Sequence, residues 1–150
     1  MNVLKKYISE CAGDTFLLGQ KIAPLVKNGG VIAMFGSMGM GKTVFTHGLA
    51  AGLGIDPKLV SSPTFALVHE YGEETKLYHF DMYRIETWDD LYSTGFFDYI
   101  GSGVLAVEWS ENIENALPED SVRIYFEPGE NESQRIITVY GGAQIENSLD

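Results

Sequence analysis

The chain has 150 residues, of which 45% are hydrophobic and 12% aromatic, and this is enough for one compact domain with a single core. Ten lysines and arginines against 21 aspartates and glutamates give a net charge of -11, which opposes unaided binding to a nucleic acid. The only cysteine, Cys11, cannot form an internal disulfide, and no apolar run is typical of a signal peptide or a membrane span. We therefore expect a cytoplasmic protein without a membrane segment, with one domain over residues 1–140 and a polar tail over 141–150.

The first half of the sequence predicts one strand between two helices. Apolar residues at helical spacing, with Leu17 and Ile22 among them, predict an amphipathic helix over residues 9–27. The continuous apolar run over 31–35 is typical of a buried parallel strand. A second helical pattern covers residues 42–53 and ends at a glycine.

The second half alternates short strands, helices and turns, and many of its strand residues are aromatic or β-branched. Its predicted elements are, in chain order, a hairpin (65–71 and 76–83), a short helix capped by Thr87 (88–93), a buried strand (104–108), a helix capped by Ser110 (111–117) and a terminal hairpin (122–127 and 135–140). This order predicts an α/β domain with a mainly parallel central sheet and antiparallel hairpin edges.

A glycine-rich loop lies between the first predicted strand and the second helix. Residues 36–43 read Gly-Ser-Met-Gly-Met-Gly-Lys-Thr and fit the pattern GxxxxGK[ST] in the strand–loop–helix context of a P-loop. We assign phosphate binding to the loop residues Ser37, Met38, Gly39, Met40 and Gly41 and to the side chain of Lys42, and a magnesium position to the Thr43 hydroxyl. The alternative is a chance glycine-rich turn. A dinucleotide fingerprint is excluded because the glycines run GxxGxG and not GxGxxG.

A nucleotide hydrolase also needs a carboxylate near the magnesium ion, at the end of a strand beside the P-loop strand. Glu108 ends the apolar run 104–108 and is our candidate for this group, with a solvated strand-end acid as the alternative. Asp81 is the second candidate, and it could equally be a surface partner of Arg84. Thr64 lies about twenty residues past the P-loop in a Ser-Pro-Thr turn and resembles a switch threonine.

Other side chains carry weaker signals. Trp109 follows Glu108 directly, so it is either a core aromatic or a group that contacts the nucleotide. Arg84 is the first cation to suspect of assisting catalysis. His47, His69 and His79 do not have the spacing of metal ligands, and we interpret them as structural or surface groups.

Four motifs in a fixed order resemble the TsaE (YjeE) family of bacterial P-loop ATPases, and the match covers nearly the whole chain. They are GxxGxGKT at 36–43, Ser-Pro-Thr-Phe at 62–65, His-Phe-Asp-Met-Tyr-Arg at 79–84 and Val-Glu-Trp at 107–109. The resemblance implies a P-loop NTPase-like three-layer fold. It also implies that the chain binds and slowly hydrolyses ATP with magnesium, and acts with the TsaD and TsaB proteins in forming threonylcarbamoyladenosine next to the anticodon of ANN-decoding tRNAs.

The resemblance carries roles to individual positions. It implies that Lys42 holds phosphate, that Thr43 and Glu108 serve magnesium, that Asp81 supports catalysis or the metal's water shell, and that Thr64 and Trp109 belong to a nucleotide-responsive region. The P-loop departs from the usual family pattern Gly-Asp-Leu-Gly-Ala-Gly-Lys-Thr, because Ser37 stands where the family commonly has an acid. Phosphate binding should survive this change, since backbone N–H groups and the lysine carry it.

Three other functions compete with this one. A small-molecule P-loop kinase shares the same opening, but it usually closes an arginine-bearing lid, and this chain has only Arg84, Arg123 and Arg135. A guanine-specific switch protein would need an Asn-Lys-x-Asp stretch, which the sequence lacks. The third alternative is a scaffold whose ATP site is regulatory and hardly turns over.

Overall fold

The computed structural model describes residues 2–37, 39–60 and 68–141. Its helices and strands are β1 (Asn2–Ser9), α1 (Ala12–Val26), β2 (Gly30–Phe35), α2 (Lys42–Gly52), β3 (Val68–Tyr71), β4 (Leu77–Asp81), α3 (Trp88–Ser93), α4 (Phe96–Tyr99), β5 (Val104–Glu108), β6 (Val122–Pro128) and β7 (Arg135–Gly141). Two 3₁₀ segments lie at Pro57–Leu59 and Ser110–Ala116. None of the helices within the described ranges has the length and apolar character needed to cross a membrane.

The seven described strands form one sheet in the order β1-β7-β6-β2-β5-β4-β3. Strand β2 runs parallel to both of its neighbours, β5 and β6, and β4 runs parallel to β5. The β3–β4 and β6–β7 hairpins are antiparallel, and β1 extends the sheet antiparallel to β7. The prediction of a mainly parallel sheet with antiparallel hairpin edges is confirmed.

Side chains point alternately to the two faces of the sheet and divide the core into two parts. Ile32 and Met34 of β2 pack with α1 and α2. Val31 and Phe35 of the same strand pack on the opposite face with α3, α4 and the segment 110–116. The chain therefore has the predicted three layers, with the sheet between two sets of helices.

Helices α1 and α2 approach closely because glycines lie where they touch. A methyl group at Gly48 of α2 would lie 1.9 Å from the carbonyl oxygen of Phe16, and one at Gly19 of α1 would lie 2.3 Å from that of Phe45. A larger residue at either position would force the helices apart. Since α2 begins at Lys42, this contact fixes the helix that follows the glycine-rich loop.

The N-terminal part of the chain differs from the prediction. Strand β1 was not predicted, because its sequence lacks a clean apolar–polar alternation, and Ser9 is its last residue. The helix predicted from residue 9 therefore begins at Ala12. Ile22 is buried as expected, but Leu17 is 61% exposed and lies on the solvent side of α1.

Of the two predicted helix caps, one is present and the other is not. Thr87 caps α3 as predicted, since its hydroxyl accepts the N–H of Asp90 at 3.1 Å. The predicted cap at Ser110 is wrong, because its hydroxyl donates to the carbonyl oxygen of Val107 at 2.9 Å and Ser110 is already the first residue of the 3₁₀ segment.

Of the predicted tail, only Gly141, which ends β7, lies within the described residues. The domain boundaries stay a prediction.

Candidate nucleotide-binding site

The loop between β2 and α2 has a backbone that favours glycine at three positions. Gly36, Gly39 and Gly41 have φ values of 137°, 81° and 99°. At Gly36 a side chain is also excluded by space, because a Cβ atom would lie 2.6 Å from the carbonyl oxygen of Phe126. Gly41 directly precedes α2, so the loop leads into a helix N-terminus, where backbone N–H groups and the helix dipole favour an anion.

The non-glycine residues of this loop have different surroundings. Ser37 is exposed. Met40 is half-buried and packs against the core formed by α1 and α2. This methionine therefore has a packing role in addition to its predicted place in the phosphate loop. Met38 lies outside the described residues.

Lys42 is the first residue of α2 and is only 4% exposed. Its Nζ donates a hydrogen bond to the carbonyl oxygen of Gly36 at 2.6 Å and lies 4.8 Å from the centre of the Trp109 ring. The amine forms no ion pair with any residue in the described ranges. A nearly buried cation without a carboxylate partner is the kind of group that a bound anion stabilises.

One groove of about 560 Å³ brings most of the predicted site residues together. The loop and α2 line it on one side, and the ends of β4 and β5 line it on the other. The lining residues are Gly39, Gly41, Lys42, Thr43, Val44, Asp81, Tyr83, Arg84, Glu108 and Trp109. The groove therefore lies at the carboxyl ends of the parallel strands, where open α/β sheets hold their ligands.

Asp81 and Glu108 are neighbours across the sheet, because they are register partners at the ends of β4 and β5. Glu108 is buried and Asp81 is half-buried. Burial raises the pKa of the Asp81 carboxyl above its usual range, and the nearby Glu108 adds to this rise. The N–H of Tyr83 donates to Asp81 Oδ1 at 2.9 Å and acts in the opposite direction on the same pKa.

His79 is the residue that the sequence interpretation missed. It is fully buried, and its Nε2 lies 2.6 Å from Glu108 Oε2. Its Nδ1 has no hydrogen-bond partner among the described groups, so the Glu108 contact is the one that orients the ring. An ionised Glu108 is an acceptor, and Nε2 then carries the proton. The signal in the sequence was alternation, because positions 79 and 81 of β4 share one face.

Two aromatic side chains, Tyr83 and Trp109, line the groove. Trp109 has φ 59°, and it is the one residue other than glycine with a positive φ in the described part of the chain. Its ring lies 5.0 Å from that of Tyr83, which is 56% exposed.

Arg84 also lines the groove, but it forms no ion pair with Asp81, so the predicted alternative of a surface Asp81–Arg84 pair is absent among the described contacts. Thr64 lies outside the described residues.

The fold and this groove define a P-loop NTPase-like protein. A family model described as "Threonylcarbamoyl adenosine biosynthesis protein TsaE" matches residues 9–137. The chain belongs to the TsaE family, as the resemblance of its four motifs implied.

Several known proteins are similar over most of the chain. The tRNA threonylcarbamoyladenosine biosynthesis protein TsaE of Aquifex aeolicus is 43% identical over 113 residues, which cover 74% of this chain and 80% of that protein. The protein of the same name from Bacillus subtilis is 38% identical over 131 residues, with 85% of this chain and 81% of that protein covered. The crystal structure of Bacillus subtilis YdiB superposes with a TM-score of 0.72 at 31% identity, and the match covers 97% of this chain and 92% of YdiB.

Proposed function

We propose that this chain binds ATP with magnesium, hydrolyses it slowly, and works with the TsaD and TsaB proteins to form threonylcarbamoyladenosine in ANN-decoding tRNAs. The observation that carries the proposal is the single groove lined by Lys42, Thr43, Asp81 and Glu108 together. Family membership supports the pathway, since the similar proteins of Aquifex aeolicus and Bacillus subtilis are named for threonylcarbamoyladenosine biosynthesis in tRNA.

The residues of the groove fit a nucleoside triphosphate. The backbone N–H groups of the loop 37–41 and the amine of Lys42 would hold the phosphate oxygens, because this amine has no carboxylate partner among the described residues. Glu108 and the Thr43 hydroxyl would hold magnesium, as a carboxylate and a hydroxyl beside the phosphates do in related sites. Magnesium, when bound, offsets the negative charge on the phosphate oxygens.

Asp81 is the group best placed to orient water in this groove. It is next to Glu108 and it is not paired with Arg84 among the described contacts. Burial raises its pKa, and a carboxylate with a raised pKa is a stronger proton acceptor than an exposed one. Asp81 would therefore accept a hydrogen bond from the water that attacks the terminal phosphate.

A protein complex suits this chain better than tRNA as its direct partner. The net charge of -11 repels a phosphate backbone, so we expect no tRNA binding by the isolated chain at physiological salt. Micromolar affinity in a filter-binding assay at that salt would contradict this expectation.

The test is ATP hydrolysis by the chain alone and with TsaB and TsaD, for the parent and for Asp81→Ala. We expect Asp81→Ala to keep ATP affinity and to lose hydrolysis by about 100-fold, the lower end of what general-base catalysis supplies. The variant should also fail to support tRNA modification when it is mixed with TsaB, TsaD and threonylcarbamoyl-adenylate. Asp98→Ala is the matched control, because Asp98 is an exposed acid on α4 and does not line the groove.

Two results would contradict the proposal. Unchanged hydrolysis in Asp81→Ala would remove Asp81 from the chemistry. Transfer of radiolabelled phosphate from ATP to a small-molecule acceptor, without any need of TsaB and TsaD, would identify the chain as a kinase.

A further inference from the structure

A second groove lies on the face of the sheet opposite α1 and α2, and the proposed ATP chemistry does not use it. We call it the α3 groove. Its volume is about 240 Å³, and its apolar lining includes Ile85, Trp88, Leu91 and Ile113. Small-molecule sites typically measure about 300–1,000 Å³. The α3 groove therefore suits one or two inserted side chains better than a whole metabolite.

Large aromatic side chains are exposed beside this groove. Trp88 is 54% exposed and Tyr92 is 64% exposed, although both belong to the short helix α3. They are one helical turn apart, with ring centres separated by 6.3 Å, and the half-buried Phe97 lies 5.2 Å from Tyr92. Clustered exposed aromatics are uncommon on a monomer, and tryptophan and tyrosine are frequent anchors of protein interfaces.

The surroundings of the groove are strongly acidic. Residues 85–122 contain nine acidic residues and no lysine, arginine or histidine. Three of the acids line the groove, namely Glu86, Glu111 and Glu114. Glu114 is 3.8 Å from Arg123, whereas Glu86 forms no ion pair within the described ranges. This charge repels nucleic acid and attracts lysine or arginine.

Two residues that line the α3 groove, Glu111 and Asn112, are hydrogen-bonded to segments beside the candidate nucleotide site. Glu111 accepts the N–H of Gly36, the first residue of the phosphate loop, at 2.9 Å. The amide of Asn112 donates to the carbonyl oxygens of Met82 and Tyr83 at 2.8 and 3.2 Å. A partner in the α3 groove would therefore contact a segment that is hydrogen-bonded to the first residue of the phosphate loop and to the residues that follow β4.

We infer that the α3 groove docks a protein segment of the TsaB–TsaD assembly that presents an apolar or aromatic side chain flanked by lysine or arginine. This inference rests on the proposed function for the identity of the partner. The chemistry of the segment follows from the surface itself, which combines an apolar cleft and exposed aromatics with an acidic rim, where Glu86 forms no ion pair within the described ranges. The chain's own residues 142–150 do not fit by charge, since they contain two acids and no base.

The test measures binding of the full chain to a TsaB–TsaD complex by biolayer interferometry. We expect Trp88→Ala to weaken binding by about 30-fold, the effect of removing an interface anchor. Glu86→Lys should weaken it by about tenfold at low salt and less at high salt, because this charge is exposed. The controls are Leu17→Ala, an equally exposed apolar residue on α1, and Glu132→Lys, an exposed acid in the β6–β7 turn, and both should bind like the parent. Unchanged ATP affinity in every variant shows that each one is folded.

The possible outcomes separate this inference from the proposed function. If the parent binds TsaB–TsaD and both groove variants bind equally well, the docking site is wrong while the proposed function stands. If the parent itself does not bind, the proposed partnership fails and the inference fails with it. If Trp88→Ala instead converts a dimer of this chain into monomers without changing TsaB–TsaD binding, the occupant is a second copy and the inference is overturned.

Discussion

The contact between His79 and Glu108 predicts that a fully buried histidine controls the magnesium dependence of the site. In His79→Ala the hydrogen bond of 2.6 Å between Nε2 and the Glu108 carboxylate is lost. Such a bond to a charged group is worth about 1.5–3 kcal/mol. Loss of the group that orients a metal ligand typically lowers metal affinity by about 10–100-fold, which corresponds to a similar range of free energy. We therefore expect the magnesium concentration for half-maximal ATP hydrolysis to rise by about 10–100-fold.

The assay is ATP hydrolysis over a magnesium titration, with ATP binding measured by calorimetry at saturating magnesium. His79→Gln keeps a donor in the side chain and should recover part of the magnesium affinity, which a purely structural role for the ring would not predict. His69→Ala is the matched control, because His69 lies on β3 and contacts Tyr71 at 3.0 Å instead of the groove. A half-saturating magnesium concentration in His79→Ala equal to that of the His69→Ala variant would refute the reasoning.

Three further predictions concern the loop, the acid pair and the helix contact. Lys42→Ala should lower ATP affinity by about 10–100-fold in a calorimetric titration, because the loop loses its one cation, and unchanged affinity would contradict the phosphate site. Asp81→Asn should raise the free energy of unfolding at neutral pH, since burial raises the pKa of Asp81 and makes its ionised form unfavourable in the fold. This gain should shrink as the pH falls through the raised pKa and vanish below the usual aspartate range, and denaturant curves that show no gain at neutral pH would disprove it. Gly48→Ala should destabilise the chain by about 1–3 kcal/mol, because its methyl group would lie 1.9 Å from the Phe16 carbonyl oxygen. Gly13→Ala meets only an ordinary contact at 3.6 Å, and a melting temperature equally low in both variants would contradict the packing argument.

The features that the sequence predicted well depend on local backbone requirements. The pattern over residues 36–43 needs glycine at Gly36, Gly39 and Gly41 because all three have positive φ, and this requirement is visible in one short segment. The buried strands β2 and β5 were also visible as continuous apolar runs. The position of Glu108 at the end of such a strand followed from the same local pattern.

Two of the features that the sequence did not predict depend on partners far apart in the chain, and the third depends on the geometry of a turn. His79 and Glu108 are 29 positions apart, and their contact exists only because β4 and β5 pair in one register. The edge strand β1 is defined by its pairing with β7, at the other end of the chain. Ser110 was assigned as a cap from residue type alone, but the tight turn after β5 brings its hydroxyl to the Val107 carbonyl instead. Register and turn geometry, more than residue type, decided these three outcomes.

Three features of the described structure that are unfavourable for stability lie in the groove of the candidate nucleotide-binding site. Trp109 takes a left-handed backbone conformation that costs free energy for a large side chain, while every other positive φ in the described ranges is at glycine. Lys42 is nearly buried without a carboxylate partner among the described residues, and the pKa of Asp81 is raised by burial. All three features lower stability, and a ligand that carries both phosphate and a divalent cation would offset the last two, because the phosphate would pair with the amine and the cation with the acids. Their concentration at the carboxyl ends of β2, β4 and β5 is what a binding site requires and what a purely structural core would avoid.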